Sequence, residues 1–212
     1  MIGWNRFILI WDANNTVTKA AKRRLLVSNV TTVDGYIAGP KGELEWFVKD
    51  GFLTNTEYGQ CARELNSSVD AILLGRRTYE EFVSYWPDAT DNDPVITEKM
   101  NTLPKIVFSN TLDKVGWGKW GNARLVKGDP AEEVRRLKQE EGRDLVIYGS
   151  GTLVSYLTSK NLIDEFQLTV QPVILGAGKH QFEDIGEWKN LRLVKTRLLK
   201  EGAIILYYQP LV

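Results

Sequence analysis

The stretches Leu73-Leu74-Gly75-Arg76-Arg77-Thr78-Tyr79 and Val146-Ile147-Tyr148-Gly149-Ser150-Gly151-Thr152-Leu153 decide the fold of this chain. In each, a short aliphatic run reaches a glycine and passes directly into a helical pattern. Glycine lets the backbone approach a ligand closely, and the first-turn amides of a helix attract an anion. Two such turns, one with adjacent arginines, predict an α/β chain that holds a phosphorylated ligand. Alternatively, both are ordinary α/β turns, which require glycine in any case.

The composition is that of an ordinary globular chain without a general attraction for polyanions. The 212 residues include 27 Lys and Arg and 27 Asp and Glu, so the formal net charge is +0. A chain of this length is expected to form one domain with a full core, which we place over residues 23–212. Because no overall field favours nucleic acid or an acidic membrane, any anion site must be local.

The scarcity of cysteine and histidine limits the available chemistry. Cys61 and His180 are the only residues of their types, which excludes an internal disulfide and leaves little material for a zinc site or a Ser-His-Asp triad. We therefore expect no metal and a reducing cytoplasmic location. Cys61 is expected to pack on a helix face and His180 to lie in a loop.

Residues 1–22 differ in sequence pattern from the rest of the chain. The apolar run of residues 7–11 is too short for a membrane span and lacks the features of a signal peptide. We expect a weakly ordered extension, with an accessory strand as the alternative.

The apolar pattern of the remaining residues predicts a βαβ front portion followed by antiparallel strands. The front strands are expected at residues 24–31, 70–74, 105–109, 123–126 and 144–148, and the helices at residues 56–66, 78–85, 130–141 and 152–159. The tail, at residues 164–170, 191–199 and 203–208, alternates with period two. Its apolar and aromatic residues Leu206, Tyr207 and Tyr208 predict an edge that a second copy of the chain covers, and hence a homodimer.

The glycine turns do not match the common nucleotide-binding fingerprints. Gly149 and Gly151 lack the third glycine of a dinucleotide fingerprint because position 154 is Val, and the turn lies late in the chain. No Walker-type sequence is present. The remaining possibility is that two separate helix N-termini share one long ligand, with Arg76 or Arg77 on a terminal phosphate. Both arginines are alternatively solvated first-turn charges.

Four motifs in order resemble a known family. They are residues 32–38 (TVDGYIA), 74–79 (LGRRTY), 149–153 (GSGTL) and 172–178 (PVILGAG). They resemble the dihydrofolate reductase-like superfamily, specifically the reductase domain of bacterial riboflavin-biosynthesis deaminase/reductases, over residues 24–208. The resemblance implies a three-layer α/β sandwich with a mixed, twisted sheet and antiparallel C-terminal strands. It also implies NADPH across the strand ends and hydride transfer to a pteridine- or pyrimidine-like substrate.

The resemblance further implies where NADPH is held. The turn at residues 75–78 meets its phosphates, residues 109–110 the 2′-phosphate, residues 149–153 the pyrophosphate and residues 31–32 the nicotinamide. Trp46 lies beside the cofactor, or alternatively only packs in the core. The implied cofactor residues are Thr31, Thr32, Trp46, Gly75, Arg76, Arg77, Thr78, Ser109, Asn110, Gly149, Ser150, Gly151, Thr152 and Leu153. We expect a Cβ at Gly149 or Gly151 to enter ligand space, or to strain a residue that needs a positive φ. Gly151→Val is therefore expected to abolish nucleotide binding with a modest loss of stability.

The substrate half departs from the family pattern. Tyr148 stands where the riboflavin-pathway reductases have a carboxylate, Leu44 replaces a serine and Asn66 an arginine. The candidate substrate residues are Asp34, Glu57 and Tyr148. Glu57 is the nearest acid to the pterin-holding carboxylate of dihydrofolate reductase, or alternatively a solvated residue at a helix start.

Three functions remain open at the level of sequence. The first is a reductase of a small heterocycle, in which the cofactor supplies the hydride and few acid–base residues are needed. Its variant is dihydrofolate reductase-type activity. The second is a nucleotide-binding module without turnover, and the third is a structural dimer without a ligand.

Overall fold

An eight-stranded mixed sheet runs through the computed structural model, which describes residues 9–11, 17–19, 22–48, 56–200 and 202–211. The strands are β1 (Leu9–Trp11), β2 (Val17–Lys19), β3 (Leu25–Thr32), β4 (Tyr36–Ala38), β5 (Val69–Gly75), β6 (Lys105–Phe108), β7 (Ala123–Val126), β8 (Asp144–Tyr148), β9 (Glu165–Gln171), β10 (Lys179–His180), β11 (Leu191–Leu198) and β12 (Ile204–Pro210). The helices are α1 (Glu45–Val48), α2 (Glu57–Ser68), α3 (Arg76–Tyr85), α4 (Pro94–Thr102), α5 (Pro130–Leu137) and α6 (Gly151–Ser159).

The strand order explains why the sheet is mixed. The order is β11-β12-β9-β3-β8-β5-β6-β7, and the six strands from β9 to β7 are parallel. Parallel neighbours need crossover connections, which the helices supply. β12 and β11 are antiparallel additions at one edge, joined by a hairpin in which the Leu199 amide donates to the Ala203 carbonyl at 2.8 Å. The predicted antiparallel C-terminal strands are therefore confirmed.

Helices cover both faces of the parallel strands and produce the predicted three layers. On one face Leu73 belongs to a buried cluster with Val134 of α5 and Leu157 of α6. On the other face Leu74 packs in a second cluster with Met100 of α4. The central strands β5, β6 and β8 are buried on both faces, which is why their sequences are mostly apolar.

Most element boundaries lie within two residues of the predictions, and the larger differences have physical reasons. Helix α3 begins at Arg76, so both arginines belong to its first turn. Helix α5 ends at Leu137, because the Gln139 amide bonds the carbonyl three residues earlier and the chain tightens out of the α-helix. His180 lies in the short strand β10, which pairs with β4, and not in a loop.

The predicted weakly ordered extension falls mostly outside the described residues. Within it, β1 and β2 pair with each other in antiparallel register, with Ile10 opposite Thr18.

Lys105 is a buried cation at the start of β6. Its side chain is 0% exposed, and its Nζ atom donates to the Asn101 carbonyl at 2.8 Å and lies 4.2 Å from the Trp117 ring. Loss of water on burial lowers the pKa of Lys105 from 10.5 to about 7. The charged form is therefore disfavoured in the folded protein.

Lys105→Met is expected to raise the free energy of unfolding most at and below pH 7. Between the folded pKa of about 7 and the unfolded value of 10.5, the unfolded chain binds a proton that the folded chain does not. The stability of the unaltered protein consequently rises with pH across this window, and the advantage of Met shrinks. Thermal denaturation at pH 6, 7, 8 and 9 measures this, with the exposed Lys114→Met as the control. An equal advantage at every pH would contradict the assignment.

Candidate functional site

The two glycine turns lie side by side at the carboxyl edge of the parallel strands. β5 ends at Gly75 and leads directly into α3, while β8 ends at Tyr148 and leads through Gly149 and Ser150 into α6. Because β5 and β8 are parallel neighbours, the N-termini of both helices meet at the same edge. Anions bind at such an edge in open α/β sheets.

Ser150 joins the two turns. The Gly75 amide donates to the Ser150 hydroxyl oxygen at 2.7 Å, and the Ser150 amide donates to the Thr78 hydroxyl oxygen at 3.0 Å. Ser150 has a φ of 54° in the left-handed region, which is uncommon for a residue with a Cβ. Contacts on both sides of the residue hold it there.

Neither helix has a side chain that caps its N-terminus. The amide of Gly149 is already engaged, because it donates to Asn29 Oδ1 at 2.7 Å, and that of Ser150 is held by Thr78. The groups positioned to meet an anion are therefore the first-turn amides of α3 and α6, supported by the positive ends of the helix dipoles.

The packing of the protein itself requires these glycines, and at Gly149 the positive φ expected as one alternative is present. A Cβ at Gly149, whose φ is +58°, would lie 2.8 Å from Thr78 Oγ1. A Cβ at Gly151 would lie 2.9 Å from Ile37 Cδ1 and 3.2 Å from the His180 carbonyl oxygen. Gly75 is equally close to the Ser150 side chain. The turns are tight because two strands, two helices and the β10 segment converge there.

Arg76 lies beside the turn that follows β6. Its Nε donates to Glu80 at 2.8 Å, and its Nη1 donates to the Thr111 hydroxyl at 2.8 Å. The hydroxyl of Ser109 lies 3.3 Å from that of Thr111. The structure therefore brings Arg76 and Ser109 to one polar cluster at the strand edge. Arg77 is exposed on the same helical turn.

Asn110 and Trp46 have different surroundings. The side-chain oxygen of Asn110 accepts from the Gly128 amide at 2.8 Å, so it braces the turn between β7 and α5. Trp46 packs edge-on against Phe47, and its indole Nε1 is buried without a hydrogen-bond acceptor among the described residues.

The Asp34 carboxylate links the turn after β3 to the loop after β9. Asp34 is not among the residues that line a small cavity lying beneath α2. Its carboxylate accepts from the Thr32 hydroxyl at 2.6 Å and from the Gly176 amide at 2.8 Å. The Thr32 hydroxyl, followed by the loop amides, lowers the pKa of Asp34. This geometry gives Asp34 a structural role, and its contact with a substrate stays a prediction. Thr31, next to this turn, lines an open cavity of about 270 Å³ with His180 and Phe182.

Tyr148 and Glu57, the two other candidate substrate residues, have different neighbours in the structure. Tyr148 lines a small cavity of about 20 Å³ beneath α2, and its hydroxyl donates to Asn66 Oδ1 at 3.0 Å. Glu57 is not among the residues lining this cavity: its carboxylate accepts from the Lys200 amide at 2.9 Å and lies 3.2 Å from Lys200 Nζ. The Lys200 amide in particular lowers the pKa of Glu57. Glu57 begins α2, as its alternative interpretation has it, and is paired with the β11–β12 hairpin; a contact of Glu57 with a pterin ring stays a prediction.

The sequence analysis missed the residues that brace the Gly149 turn. Asn29 in β3 both accepts from the Gly149 amide and donates to Gln181 Oε1 at 2.8 Å. Asn29 and Gln181 are buried, at 5% and 3% exposed. The polar pair Ser28-Asn29 inside an otherwise apolar strand was the available signal, because a buried amide needs partners.

A match to a protein family covers most of the chain, including both glycine turns. The model of the RibD C-terminal domain matches residues 23–205. This chain belongs to the RibD C-terminal domain family. A deaminase/reductase from Thermotoga maritima, named as a 5-amino-6-(5-phosphoribosylamino)uracil reductase, shares the fold with a TM-score of 0.64 at 16% identity, over 90% of this chain and 57% of that one.

Individual proteins agree with this assignment. The uncharacterized protein YyaP of Bacillus subtilis (strain 168) is 32% identical over 192 residues, which are 88% of this chain and 95% of YyaP. A structure from Shewanella sp. PV-4, named for riboflavin biosynthesis, is 25% identical with a TM-score of 0.73 and covers 89% of this chain and 99% of that one. Dihydrofolate reductase from Enterococcus faecalis, in complex with NADP(H), has a TM-score of 0.54 at 14% identity, over 88% of this chain and 96% of that one. These structural likenesses show that the chain has the fold that the RibD C-terminal domain shares with dihydrofolate reductase.

In the described part of the chain, no helix is long and apolar enough to cross a membrane. No group of three or more His, Cys, Asp or Glu side chains there is placed to hold a metal ion.

Gly151→Val is expected to destabilise the folded protein by about 1–3 kcal/mol, the usual cost of overpacking. The added side chain meets Ile37 and the His180 carbonyl, which belongs to the backbone. Chemical denaturation without ligand measures the loss. Gly116→Val is the control, because nothing lies within 4 Å of a Cβ at that position. Equal stability of the two variants would show that Gly151 has space that the packing does not indicate.

Proposed function

We propose that this protein is an NADPH-dependent reductase that transfers a hydride to a small pteridine- or pyrimidine-like substrate, similar to 5-amino-6-(5-phosphoribosylamino)uracil reductase. The observation that carries this proposal is the junction of two uncapped helix N-termini, joined by the bond from the Gly75 amide to Ser150 at 2.7 Å. Membership of a family of pyrimidine reductases supports it.

The residues at this edge fit a dinucleotide phosphate. The first-turn amides of α6 suit the pyrophosphate, and those of α3 lie one strand away. Arg76, Thr111 and Ser109 form a polar cluster at the end of β6, and a guanidinium with two hydroxyls suits the 2′-phosphate that distinguishes NADPH from NADH. The buried Trp46 Nε1, which has no acceptor among the described residues, offers one further hydrogen-bond donor.

The protein's part in the reaction is orientation. When bound, NADPH supplies the hydride, so the chain needs few acid–base groups of its own. The bonds of Ser150 and Asn29 hold the two turns before any ligand arrives, and such pre-organisation reduces the entropy cost of aligning the reactants. The substrate side is the cavity beneath α2, where Tyr148 lies.

A nucleotide-binding module without turnover is the second candidate. The observation in its favour is the size of the cavity beneath α2, about 20 Å³, which is room for about one water molecule. Dihydrofolate reductase-type activity is disfavoured, because Glu57 is paired with Lys200.

We also propose a cytoplasmic homodimer. Leu206, Tyr207 and Tyr208, which were predicted to form the edge, lie in β12, and that strand is paired on both sides with β11 and β9. The edge strand is instead β11, on which Leu198 is 74% exposed and Leu193 is 47% exposed, and such an edge favours coverage by a second copy. Sedimentation velocity at micromolar concentration tests this, and a monomer would contradict it.

The unaltered protein is expected to bind NADPH and then oxidise it when a pyrimidine substrate is added. Nicotinamide fluorescence titration measures the first step, and the loss of absorbance at 340 nm with 5-amino-6-(5-phosphoribosylamino)uracil or dihydrofolate measures the second. Binding without oxidation of NADPH by either compound would favour the module without turnover. Absence of NADPH binding would refute both candidates.

Arg76→Ala is expected to weaken NADPH binding by about 10- to 150-fold, the value of one charge-assisted hydrogen bond. NADH binding is expected to change little, because NADH lacks the 2′-phosphate. Fluorescence titration of both cofactors measures this, with Arg135→Ala on the exposed face of α5 as the matched control. If both cofactors lost equal affinity, Arg76 would position the backbone and would not read the 2′-phosphate.

A further inference from the structure

The open cavity of about 270 Å³ lies on the same face of the sheet as α6. Thr31 of β3 and Leu168 of β9 line it, together with residues of the turn after β3 and of the β10 segment. Leu168 and Phe182 also pack against the buried cluster beneath α5 and α6. Ser28 lines the cavity beneath α2, and because it lies three residues before Thr31, the two side chains point to opposite faces of the strand. The two cavities are therefore separate.

The lining of the open cavity combines apolar walls with hydrogen-bonding groups. Leu168 and Phe182 supply the apolar surface, while Thr31, Gln181 and His180 supply the polar groups. None of the described residues that line it is Asp, Glu, Lys or Arg. An ion that leaves water without meeting a partner of opposite sign pays an uncompensated cost. The lining therefore suits an uncharged compound.

The Gln181 side chain has a donor that the protein does not use. Gln181 is 3% exposed, and its nitrogen Nε2 is buried with no acceptor among the described residues. Its oxygen is engaged, because Asn29 Nδ2 donates to Gln181 Oε1 at 2.8 Å. The direction of Asn29 is fixed in turn, since its Oδ1 accepts from the Gly149 amide at 2.7 Å and its Nδ2 donates to the Gly149 carbonyl at 3.2 Å. Nε2 is therefore the atom that remains available for an acceptor.

A carbonyl oxygen matches this donor. A buried donor without an acceptor destabilises the protein, and a ligand that brings an acceptor removes that penalty. The last torsion of a glutamine side chain is soft, so a small rotation turns the N–H toward the cavity while Oε1 stays near Asn29. An apolar cavity of about 150 Å³ holds benzene, so about 270 Å³ leaves room for one aromatic ring with a small substituent.

We propose that this cavity is a second ligand site, which binds an uncharged compound with one aromatic ring and a carbonyl group. The ring lies against Leu168 and Phe182, and the carbonyl oxygen accepts from Gln181 Nε2. The site is built from other residues than the cofactor edge and the substrate side, so binding to it does not depend on the function proposed above.

Occupancy of this site is expected to reach the cofactor edge through Gln181. A carbonyl ligand requires the orientation in which Nε2 faces the cavity, and in that orientation Oε1 holds Asn29, which holds the Gly149 amide. A ligand that favours one of two side-chain orientations shifts the population toward it. Coupling between two sites is reciprocal, so this ligand and NADPH are expected to favour each other's binding. This part of the inference rests on the proposed function.

The site is tested with acetanilide, an uncharged phenyl amide, titrated into the ¹⁵N-labelled protein without NADPH and followed by NMR. We expect the largest changes in chemical shift at the side-chain amide of Gln181 and at the backbone amides of Thr31, Leu168 and Phe182. Absence of binding, or shifts confined to the residues around the cavity beneath α2, would overturn the proposal. The titration uses the unaltered protein, so it does not depend on how any variant folds.

Gln181→Met is expected to bind acetanilide about 5-fold more weakly, the value of one neutral hydrogen bond. Met has a similar length but no N–H group. Gln139→Met is the matched control, because Gln139 is exposed just beyond the end of α5. Equal affinity of Gln181→Met and the control for acetanilide would overturn the contact with Gln181.

The coupling is measured by titrating NADPH into the protein with and without saturating acetanilide. NADPH is expected to bind about 5-fold more tightly with acetanilide present, at the lower end of the usual range for coupled sites. Equal affinity for NADPH in both titrations would overturn the coupling. Failure of the protein to bind NADPH at all would refute the proposed function and the coupling with it, while the NMR titration decides the second site independently.

Discussion

The hydrogen bond from the Gly75 amide to the Ser150 hydroxyl is the contact on which the candidate site depends. It joins the end of β5 to the end of β8 at 2.7 Å, and Ser150 adopts a left-handed conformation to make it. A strained residue persists only where its surroundings hold it, and Thr78 and the neighbouring Asn29–Gly149 bond do so here. The helices α3 and α6 then begin at the same edge with their amides uncapped.

The two faces of the sheet carry different polar groups near this edge. On the α6 side, Asn29 and Gln181 tie β3 to the Gly149 turn and to the β10 segment. On the α2 side, Tyr148 lines a small cavity together with Tyr58 and Tyr207, and its hydroxyl donates to Asn66 Oδ1 at 3.0 Å.

Sequence reasoning succeeded where one local pattern had one structural outcome. The strand at residues 144–148 has the bounds that the sequence predicts, because a buried parallel strand is a continuous apolar run. The outcome was open where a side chain had two possible neighbours. Glu57 suited either a pterin pocket or a helix start, and the β11–β12 hairpin places Lys200 against it. The two turns do carry the predicted glycines, and the protein atoms that a side chain would meet there belong to Ile37 and Thr78.

The sequence by itself determined the layers, the mixed sheet and the two strand-to-helix turns, because periodicity and glycine act over a few neighbouring residues. The tertiary structure alone decided which polar groups meet. Asn29 and Gly149 are 120 residues apart in the chain, and Tyr148 and Asn66 are 82 apart. Such pairs depend on strand order and helix placement, which no local pattern encodes. The two strand-to-helix turns were therefore visible in the sequence, whereas the polar partners that hold them emerged only when the chain was folded.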